Sequence, residues 1–562
     1  MQPDARVPAI RGALAAAVVT AACLAAFGRT AGHAFLVWDD RLFITENRLI
    51  AYPSMASLLA LWTTPLQDLY APLTYTLWQL LSAVVGLTPW AFHLTNVLLH
   101  ALNAWMVFGL LRQLLGSDDG EAALAGALFF AVHPVQCEAV AWASETKDLL
   151  AALFALIAVR QYLAFRAGES RGAYLRASLA FACALVAKPS AAVVPVLLAV
   201  LDRVLPRHDW RHGLVSLAPW FAAAAVIVLV AARAQPAAER HVLVAPMWLR
   251  PVVALDSLTF YLATVLLPLN LIPDYGRTTA ALVASGALVY SWIPAVALLA
   301  AAGVARPKAP LVTVAVAFFV VPLLPVLGLV PFDFQYYSNV ADHYLYLAMV
   351  GPAIGLALAY RRLQPPRVAV ALVFAALCAA SFVQAAQWKD DATLAARTLA
   401  VNPRSRFVAH NDWGLFLEER GQLEEAMRHY RQALAADPGD LAVLNNIGNL
   451  LIKQGRYDEA IRHYTEIIAQ RAMPGDTAAR MHNNLGAAYL NKGMYDAAAG
   501  EFRRAIDIDP EYIDPYNNLG LVLMAFGHRA EAVEVLRRGL AVNPHQPALR
   551  RLLDLAVSRP GG

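Results

Sequence analysis

The side chains of this sequence with the clearest capacity for chemistry are two adjacent aspartates, Asp39 and Asp40, in the stretch FLVWDDRLFITENRLI. They follow an apolar run of helix length at residues 12–27, so they mark the point where the chain would leave a membrane. Such a pair can be an ordinary solvated loop. However, residues 55–86 are aromatic and amphipathic, as in a segment that lies along a membrane surface. Between a span and such a segment, either carboxylate could act as a general base with a tuned pKa, or the pair could bind a divalent metal ion.

A second group of candidate residues lies in FFAVHPVQCEAVAWASETKDLL, which places His133, Glu138, Lys147 and Asp148 in or beside a short span. A charge at mid-bilayer costs about 2.5–3.5 kcal/mol on insertion scales, so charged residues there indicate a functional role. Two alternatives remain open. Lys147 and Asp148 can be an ordinary pair at a helix start in the headgroup region, and His133 before Pro134 can be a capping or packing residue.

A third group lies in two later segments, IPDYGRT and NVADHYLYL, which the charge pattern places on the same face as the aspartate pair. The tyrosines alone are typical of the aromatic belt of a membrane protein. The cations beside the carboxylates matter more, because together they could hold an anionic headgroup next to a general base. The residues of this third group are Asp274, Tyr275, Arg277, Asp342, His343, Tyr344 and Tyr346.

The composition identifies the class of protein that must position these residues. The chain has 562 residues, of which 59% are hydrophobic and 15% charged, with a mean hydropathy of +0.49. Apolar runs of bilayer-spanning length fill residues 12–386, and the sequence becomes polar from Gln387 onward. A net charge of +4 without a basic tract argues against nucleic acid binding. The four cysteines lie in apolar segments without ligand spacing, which argues against a disulfide framework or a cysteine metal site.

The distribution of arginine and lysine predicts the orientation of the spans, because cytoplasmic loops collect positive charge. It places the N-terminus in the cytoplasm, the aspartate pair outside and the polar C-terminal part outside, with about eleven spans. The first apolar run is predicted to be an uncleaved anchor, with a cleaved signal peptide as the alternative. The number of spans between residues 177 and 272 stays open, since Lys188-Pro189 could break one run into two short helices.

The polar C-terminal part is predicted to be an array of four tetratricopeptide repeats at residues 407–550, preceded by a linker or capping half-repeat at 387–406. A pattern of two glycines, an alanine and an aromatic residue recurs with a period of about 34 residues. Small residues allow the two helices of a repeat to approach closely, and the aromatic side chain fills the remaining space. The pattern is seen at Gly414, Gly421, Ala426 and Tyr430, at Gly448, Gly455, Ala460 and Tyr464, and at Gly486, Gly493, Ala498 and Phe502, and it returns in part at Gly520, Gly527 and Ala532.

One polar position recurs two residues before the first glycine of each repeat: Asp412, Asn446, Asn484 and Asn518. A carboxamide both donates and accepts hydrogen bonds, so a ladder of them could hold an extended peptide backbone without reading its side chains. This arrangement resembles the asparagine ladder of O-GlcNAc transferase. Alternatively, these residues hold the repeats together.

The order of these segments resembles a known family. VWDD, FHLTNVLLHALNAW, HPVQCEAVAWASETKDLLA, AKPSA and VADHYLYL are followed by the repeats. The combination resembles the transmembrane and tetratricopeptide-repeat-containing O-mannosyltransferases and their bacterial relatives, within the GT-C superfamily of enzymes that use polyprenyl-phosphate sugars. The resemblance covers nearly the whole chain. It implies an all-α, GT-C-like membrane domain at residues 1–386, placed in the inner membrane of a bacterium.

The resemblance also implies roles for individual residues. An acidic residue of the first outer loop would be the catalytic base, here Asp39 or Asp40, with Asp39 favoured as the first of the pair. Lys147 would bind the donor phosphate, and Arg277 and His343 are candidates for the same role. The family usually carries arginine at the position of His343, and a neutral imidazole would be a weaker phosphate ligand. The supporting residues are His133, Glu138, Asp148 and Tyr344.

The predicted reaction is the transfer of a sugar, with mannose favoured, from a polyprenyl-phosphate donor to Ser/Thr of a protein bound by the repeats. Polyprenyl phosphate is a good leaving group, so one carboxylate base and stabilising cations suffice, and a single displacement inverts the anomeric carbon. No cofactor is required beyond the optional metal ion. Two alternatives stay open: a transferase acting on a lipid or surface polysaccharide, and a non-catalytic membrane-anchored scaffold.

Overall fold

The computed structural model describes residues 6–66, 69–116, 119–168, 170–205, 210–234, 245–330, 332–402, 407–470, 473–543 and 546–558. The described residues form helices joined by turns and loops, with one isolated bridge between Leu66 and Leu69. The chain forms two compact units, Met1–Ser405 and Arg406–Gly562, which we name the membrane unit and the repeat unit. The all-α fold predicted from the sequence is confirmed.

The membrane unit contains helices long and apolar enough to cross a bilayer, as in an integral membrane protein. Among the described residues six helices meet this condition, and two bent helix pairs raise the number to eight. The predicted number of about eleven spans is not confirmed. The α-helices of this unit are Arg6–Phe27, Arg48–Ala51, Met55–Thr63, Pro72–Val85, Pro89–Leu115, Gly120–Val132, Cys137–Ala141, Thr146–Arg166, Arg171–Ala187, Val194–Val204, Trp210–Ala234, Arg250–Leu266, Thr279–Ser285, Ile293–Ala305, Pro310–Val320, Leu345–Ala348, Val350–Leu363, Arg367–Ala385 and Asp391–Val401.

Two spans form the centre of the membrane unit. In Pro89–Leu115 and Ala143–Arg166, 61% of the most apolar window is buried inside the protein, compared with 11% in Arg367–Trp388. The central pair carries small residues and buried polar side chains. The large exposed side chains of the outer span are apolar, as expected for a surface that faces lipid. The chemistry of this unit is therefore built around its two central helices.

Two breaks in the helices place charged residues next to the central pair. The helix Arg171–Ala187 ends before Lys188, and a 3-10 turn at Pro189–Val193 leads into Val194–Val204, as the sequence Lys188-Pro189 indicates. The helix Gly120–Val132 ends at His133-Pro134, and a second turn leads into the short helix Cys137–Ala141. A helix that ends within the membrane unit leaves room for the side chains at its end to turn toward a site.

The repeat unit consists of paired helices with the packing that the sequence pattern predicts. A Cβ atom added at Gly448 would lie 2.3 Å from Tyr464 Cζ, and one added at Gly486 would lie 2.7 Å from Phe502 Cε1. Only glycine therefore lets the two helices of a repeat approach this closely. The helices of this unit are Phe407–Glu419, Leu423–Ala436, Leu441–Lys453, Tyr457–Gln470, Gly475–Asn491, Tyr495–Ile508, Asp514–Ala525, Arg529–Val542 and Pro547–Ser558.

Candidate functional site

The adjacent aspartates have different surroundings. Asp40 is fully buried, and its two carboxylate oxygens accept hydrogen bonds from the backbone N–H groups of Ser144 at 2.8 Å and Leu36 at 3.0 Å. Burial raises the pKa of Asp40 to about 7, although the two backbone hydrogen bonds oppose this shift. Asp39 keeps 36% of its side chain exposed. Asp40 thus ties this loop to the segment around Ser144, whereas the carboxylate of Asp39 remains accessible to a reactant.

Lys147 lies against the exposed aspartate. Its Nζ is 3.2 Å from Asp39 Oδ2 and 2.9 Å from Glu145 Oε1, and only 8% of its side chain is exposed. The aromatic rings of Phe43 and Trp142 each lie 5.8 Å from the same nitrogen. An ammonium group held by two carboxylates and two rings is fixed in place. The fold thus brings together Asp39 and Lys147, which the sequence singled out as separate candidates.

A second lysine, Lys188, joins the site from the helix break at Pro189. Its Nζ is 2.5 Å from Asp148 Oδ2 and 6.0 Å from the ring of Tyr344. Asp148 pairs with this lysine and not with its neighbour Lys147. Lys188 was not among the residues selected from the sequence. The signal that could have found it is a lysine directly before a proline inside a long apolar run.

The segment Asp342–Tyr344 contacts the helix Cys137–Ala141 through the carboxylate of Glu138. His343 Nδ1 lies 2.5 Å from Glu138 Oε1, and the backbone N–H of Asp342 donates to Glu138 Oε2 at 3.3 Å. Tyr275 in turn donates its O–H to Asp342 at 2.9 Å. The contact between His343 and Glu138 therefore links two broken helices that are about 200 residues apart in sequence. The role of His343 as a phosphate ligand stays a prediction.

Two predicted site residues make framework contacts instead. His133 accepts the N–H of Val135 at 3.3 Å, and its Nε2 lies 3.1 Å from the carbonyl oxygen of Val265, so it caps the turn, as one interpretation of the sequence holds. Arg277 donates from one Nη to both carboxylate oxygens of Asp256, at 2.9 and 2.7 Å. The role of Arg277 as a phosphate ligand stays a prediction.

A cavity of about 60 Å³ lies beside these charges. Its polar and charged lining residues include Asp148, Lys188, His343 and Tyr344, and most of the other lining residues are aliphatic. Such a lining suits a ligand with an anionic head and an apolar tail. The other lining residues are Ala151, Ala152, Ala155, Ser190, Ala191, Val193, Pro322, Val326, Tyr346 and Leu347.

The geometry also bears on the suggested metal ion. Asp40 uses both carboxylate oxygens for backbone N–H groups, so the pair Asp39 and Asp40 offers one accessible carboxylate. Glu145, Asp148 and His343 bring one ligand atom each to within 4.8 Å of one another, which is a spacing that could hold a metal ion. However, the carboxylates of Glu145 and Asp148 already contact the ammonium groups of Lys147 and Lys188, at 2.9 and 2.5 Å. Both carboxylates therefore already have a cationic partner, and a bound metal ion stays a prediction.

The asparagines of the repeats contact one another. Asn446 donates to Asn411 at 2.9 Å, and the same contact recurs between Asn484 and Asn445 at 2.8 Å and between Asn518 and Asn483 at 2.9 Å. Each bond joins one repeat to the preceding one, which favours a role in holding the repeats together. The side chain of Asp412 lies outside the described residues. Acceptor binding by this row stays a prediction.

Models of known protein families match parts of both units. Residues 70–234 match the family described as dolichyl-phosphate-mannose-protein mannosyltransferase. Tetratricopeptide repeat families match residues 417–455, 439–511 and 489–555. The matched mannosyltransferase region contains Glu138, Lys147, Asp148 and Lys188, and Asp39 and His343 lie outside it.

The similar curated proteins are named protein O-mannosyl-transferases. Tmtc1 of Drosophila melanogaster is 35% identical over 183 residues, which are 31% of this chain and 21% of that protein. TMTC2 of Homo sapiens is 35% identical over 138 residues, covering 24% of this chain and 16% of that protein. The resemblance to the TMTC-type proteins is confirmed. The matched regions span about a fifth or less of the length of these relatives.

Proposed function

We propose that this chain is an integral-membrane glycosyltransferase that moves mannose from a polyprenyl-phosphate donor to Ser/Thr of a protein on the extracytoplasmic face of the membrane. The observation that carries the proposal is the contact between the partly exposed carboxylate of Asp39 and the buried ammonium of Lys147, beside the cavity that holds Lys188. The names of the TMTC-type relatives support mannose and a protein acceptor.

In the proposed reaction Asp39 is the general base. Its carboxylate takes the proton of the acceptor hydroxyl while the hydroxyl oxygen forms a bond to C1 of the sugar. The bond between C1 and the phosphate oxygen breaks, and polyprenyl phosphate leaves with the electron pair. A single displacement of this kind inverts the configuration at C1, because no second carboxylate forms a covalent intermediate.

Lys147 and Lys188 are the proposed ligands of the leaving phosphate. Both are held in place before the donor arrives, by Glu145 and Asp148 respectively, and cations fixed in advance stabilise developing negative charge without reorganisation. The aliphatic wall of Ala151, Ala152 and Ala155 would take the first part of the prenyl chain. Because the cavity of about 60 Å³ holds only a few waters, binding of the donor must widen it.

In this proposal the repeats, at residues 407–550, bind the protein acceptor on the same side of the membrane as Asp39. Residues 1–386 form the catalytic domain and residues 387–406 connect the two. The charge pattern of the loops supports a cytoplasmic N-terminus and extracytoplasmic repeats. The proposal places the chain in the inner membrane of a bacterium, as the family resemblance implies.

The test compares Asp39→Asn with the control Glu46→Gln in the purified full chain. Glu46 is a half-exposed carboxylate of the same loop, paired with Arg41 at 2.6 Å. With mannosyl polyprenyl phosphate and an acceptor peptide, we expect Asp39→Asn to lower kcat by about 10²–10⁴-fold, the usual contribution of a general base, and Glu46→Gln to leave it unchanged. Transfer by Asp39→Asn at the wild-type rate would contradict the assignment of the base.

The acceptor is identified separately, by comparing the glycopeptides of envelope proteins from cells with and without this chain. Loss of an O-linked hexose from defined Ser/Thr peptides is the expected result. If wild-type protein neither transfers sugar nor hydrolyses any of several polyprenyl-phosphate sugars, a scaffold function is favoured instead.

A further inference from the structure

A larger cavity, of about 730 Å³, lies at the far end of the two central helices from Asp39. Arg160 is 13 residues beyond Lys147 on its helix, which corresponds to about 20 Å at the rise of an α-helix. Arg112 is similarly far along the other central helix from Asn96, which contacts Trp142 beside the candidate site. The lining residues are Gly12, Ala13, Ala16, Trp105, Met106, Phe108, Gly109, Arg112, Gln113 and Arg160.

The guanidinium group of Arg160 is seated against a glycine. A Cβ atom added at Gly109 would lie only 2.5 Å from Arg160 Cζ, so the absence of a side chain creates the space that this group occupies. One Nη lies 3.4 Å from Met106 Sδ. The Nε atom is shielded from solvent and has no hydrogen-bond partner among the described residues. A buried donor without an acceptor is unfavourable, which is the condition that a bound anion would relieve.

The charge of this cavity is not balanced by its own lining. Arg112 contributes a second guanidinium group, 5.9 Å from the ring of Phe108, and no carboxylate is among the lining residues that the structure describes. Arg112 also lines a second cavity, which contains Asp119 and Glu121. Neighbouring arginines differ. Arg361 pairs with Asp119 at 3.2 Å, and Arg367 pairs with Glu121 at 2.5 Å. Two arginines therefore face the same cavity without the carboxylate partners that the adjacent ones have.

The lining indicates the class of ligand. A guanidinium group presents its N–H donors in a planar fork that matches two oxygens of a phosphate group. The rest of the wall is apolar, with Trp105, Phe108 and two alanines of the first helix. Trp105 is also partly exposed on the surface of the unit. Tryptophans are frequent at the level of the lipid headgroups. The combination suits a molecule with a phosphate head and an apolar chain.

We propose that this cavity binds the phosphate headgroup of an anionic membrane lipid between Arg112 and Arg160. The site is separate from the donor site, and it does not depend on the proposed transferase reaction. Lipid bound here would contact the first helix and both central helices at once, and so hold the far end of the unit together. A free phosphate ion would satisfy the guanidinium groups but would leave the apolar wall without a partner.

The experiment measures lipid binding by native mass spectrometry and by the thermal stability of the purified full chain in detergent. Phosphatidylglycerol, phosphatidylcholine and inorganic phosphate are the three probes. We expect phosphatidylglycerol to bind and to raise the melting temperature, and the other two to bind at least tenfold more weakly. Inorganic phosphate that binds as tightly as phosphatidylglycerol would overturn the lipid assignment, and absence of phosphatidylglycerol binding would overturn the site.

Three variants locate the binding. Arg160→Gln and Arg112→Gln each remove one charged donor, and we expect each to weaken phosphatidylglycerol binding about tenfold, as for one charge-assisted hydrogen bond. Gly109→Ala keeps every charge but displaces the guanidinium group of Arg160, so a several-fold loss is expected. If Arg160→Gln does not fold, the other two variants still decide the question.

Two controls match these variants. Arg367→Gln removes an arginine that already pairs with Glu121, and Gly303→Ala adds a Cβ atom in a helix of the same unit where nothing lies within 4 Å. Neither is expected to change lipid binding. Equal binding by Gly109→Ala, Arg112→Gln and the two controls would contradict the proposal.

Discussion

The Asp39 end of the membrane unit and the repeat unit both hold polar side chains between helices, but the partners come from different distances in the sequence. In the repeat unit Asn446 bonds to Asn411, 35 residues before it, and Asn518 bonds to Asn483, again 35 residues before it. In the membrane unit Lys147 meets Asp39 across 108 residues, and His343 meets Glu138 across 205.

This difference shows that the polar contacts inside the two units arise in two different ways. Each repeat contacts its neighbours along the chain, so one local rule, applied once per period, generates the whole array. The membrane site has no such rule, because each of its charges depends on a different pair of elements. A change in a repeat should therefore act locally on stability, whereas a change in the membrane site should act on the chemistry. Four predictions test that contrast.

The largest effect is expected for Lys188→Gln in the membrane unit. Loss of one charged phosphate ligand should lower kcat/KM for the polyprenyl-phosphate donor by about 10–100-fold, since a hydrogen bond to a charged group contributes about 1.5–3 kcal/mol. Lys188→Arg should retain most of the activity. The control Lys389→Gln removes an exposed lysine of the same unit and should change nothing. Full activity of Lys188→Gln would remove this lysine from the donor site.

The next effect is expected for Gly448→Ala in the repeat unit. The added Cβ atom would lie 2.3 Å from Tyr464 Cζ, and overpacking of this kind costs about 1–3 kcal/mol. Hydrogen exchange of the amides in Leu441–Lys453 and Tyr457–Gln470 measures the loss. The control Gly500→Ala adds a Cβ atom to a neighbouring repeat helix with nothing within 4 Å, and should be neutral or stabilising. Faster exchange throughout the repeat unit would argue against local packing.

A change of stability with pH is expected from the protonation of Asp40. Its pKa is raised to about 7 in the folded chain, above the ordinary value of 3.8, so the folded state binds the extra proton between these two values. The stability due to Asp40 should thus be complete below about pH 4 and be lost as the pH rises to about 7. The contribution of His33 to stability changes with pH in the opposite direction, because burial and the neighbouring His93 lower its pKa to about 4.

Asp40→Asn separates the two contributions. The difference in melting temperature between the wild type and this variant should shrink steadily from pH 4.5 to pH 7, measured in one detergent and buffer series. His33 is present in both proteins and cancels in the difference. A difference that stays constant across this range would mean that Asp40 has an ordinary pKa in the folded chain.

The smallest effect is expected for Asn446→Ala. Loss of the bond to Asn411 should cost about 0.5–1.5 kcal/mol in the stability of its repeat, again measured by hydrogen exchange. The control Asn491→Ala removes an exposed carboxamide that donates to the carbonyl oxygen of Ala487 in its own helix. If Asn446→Ala raises KM for the acceptor peptide and leaves exchange unchanged, then the row of asparagines binds the acceptor.

The sequence by itself determined the class of the fold and the position of the repeats. Composition separates the apolar part from the polar part, and the period of Gly448, Tyr464, Gly486 and Phe502 indicates the packing within each repeat. It also indicated Asp39 and Lys147 as candidates, because a charged side chain in or near a membrane has a free-energy cost and therefore suggests a functional role. These features could be predicted because each depends on neighbouring residues or on a fixed spacing.

Only the tertiary structure decided what each selected side chain contacts. Asp39 and Asp40 are adjacent in sequence, yet their contacts differ. The carboxylate of Asp40 accepts two backbone N–H groups, and the carboxylate of Asp39 contacts Lys147. Arg277 turned out to pair with Asp256, and Lys188 joined the site at a helix break. The physical reason is that a charged side chain inside a membrane protein pairs with a residue of whichever helix packs against it. The distance between two residues in the sequence does not indicate which helices pack together.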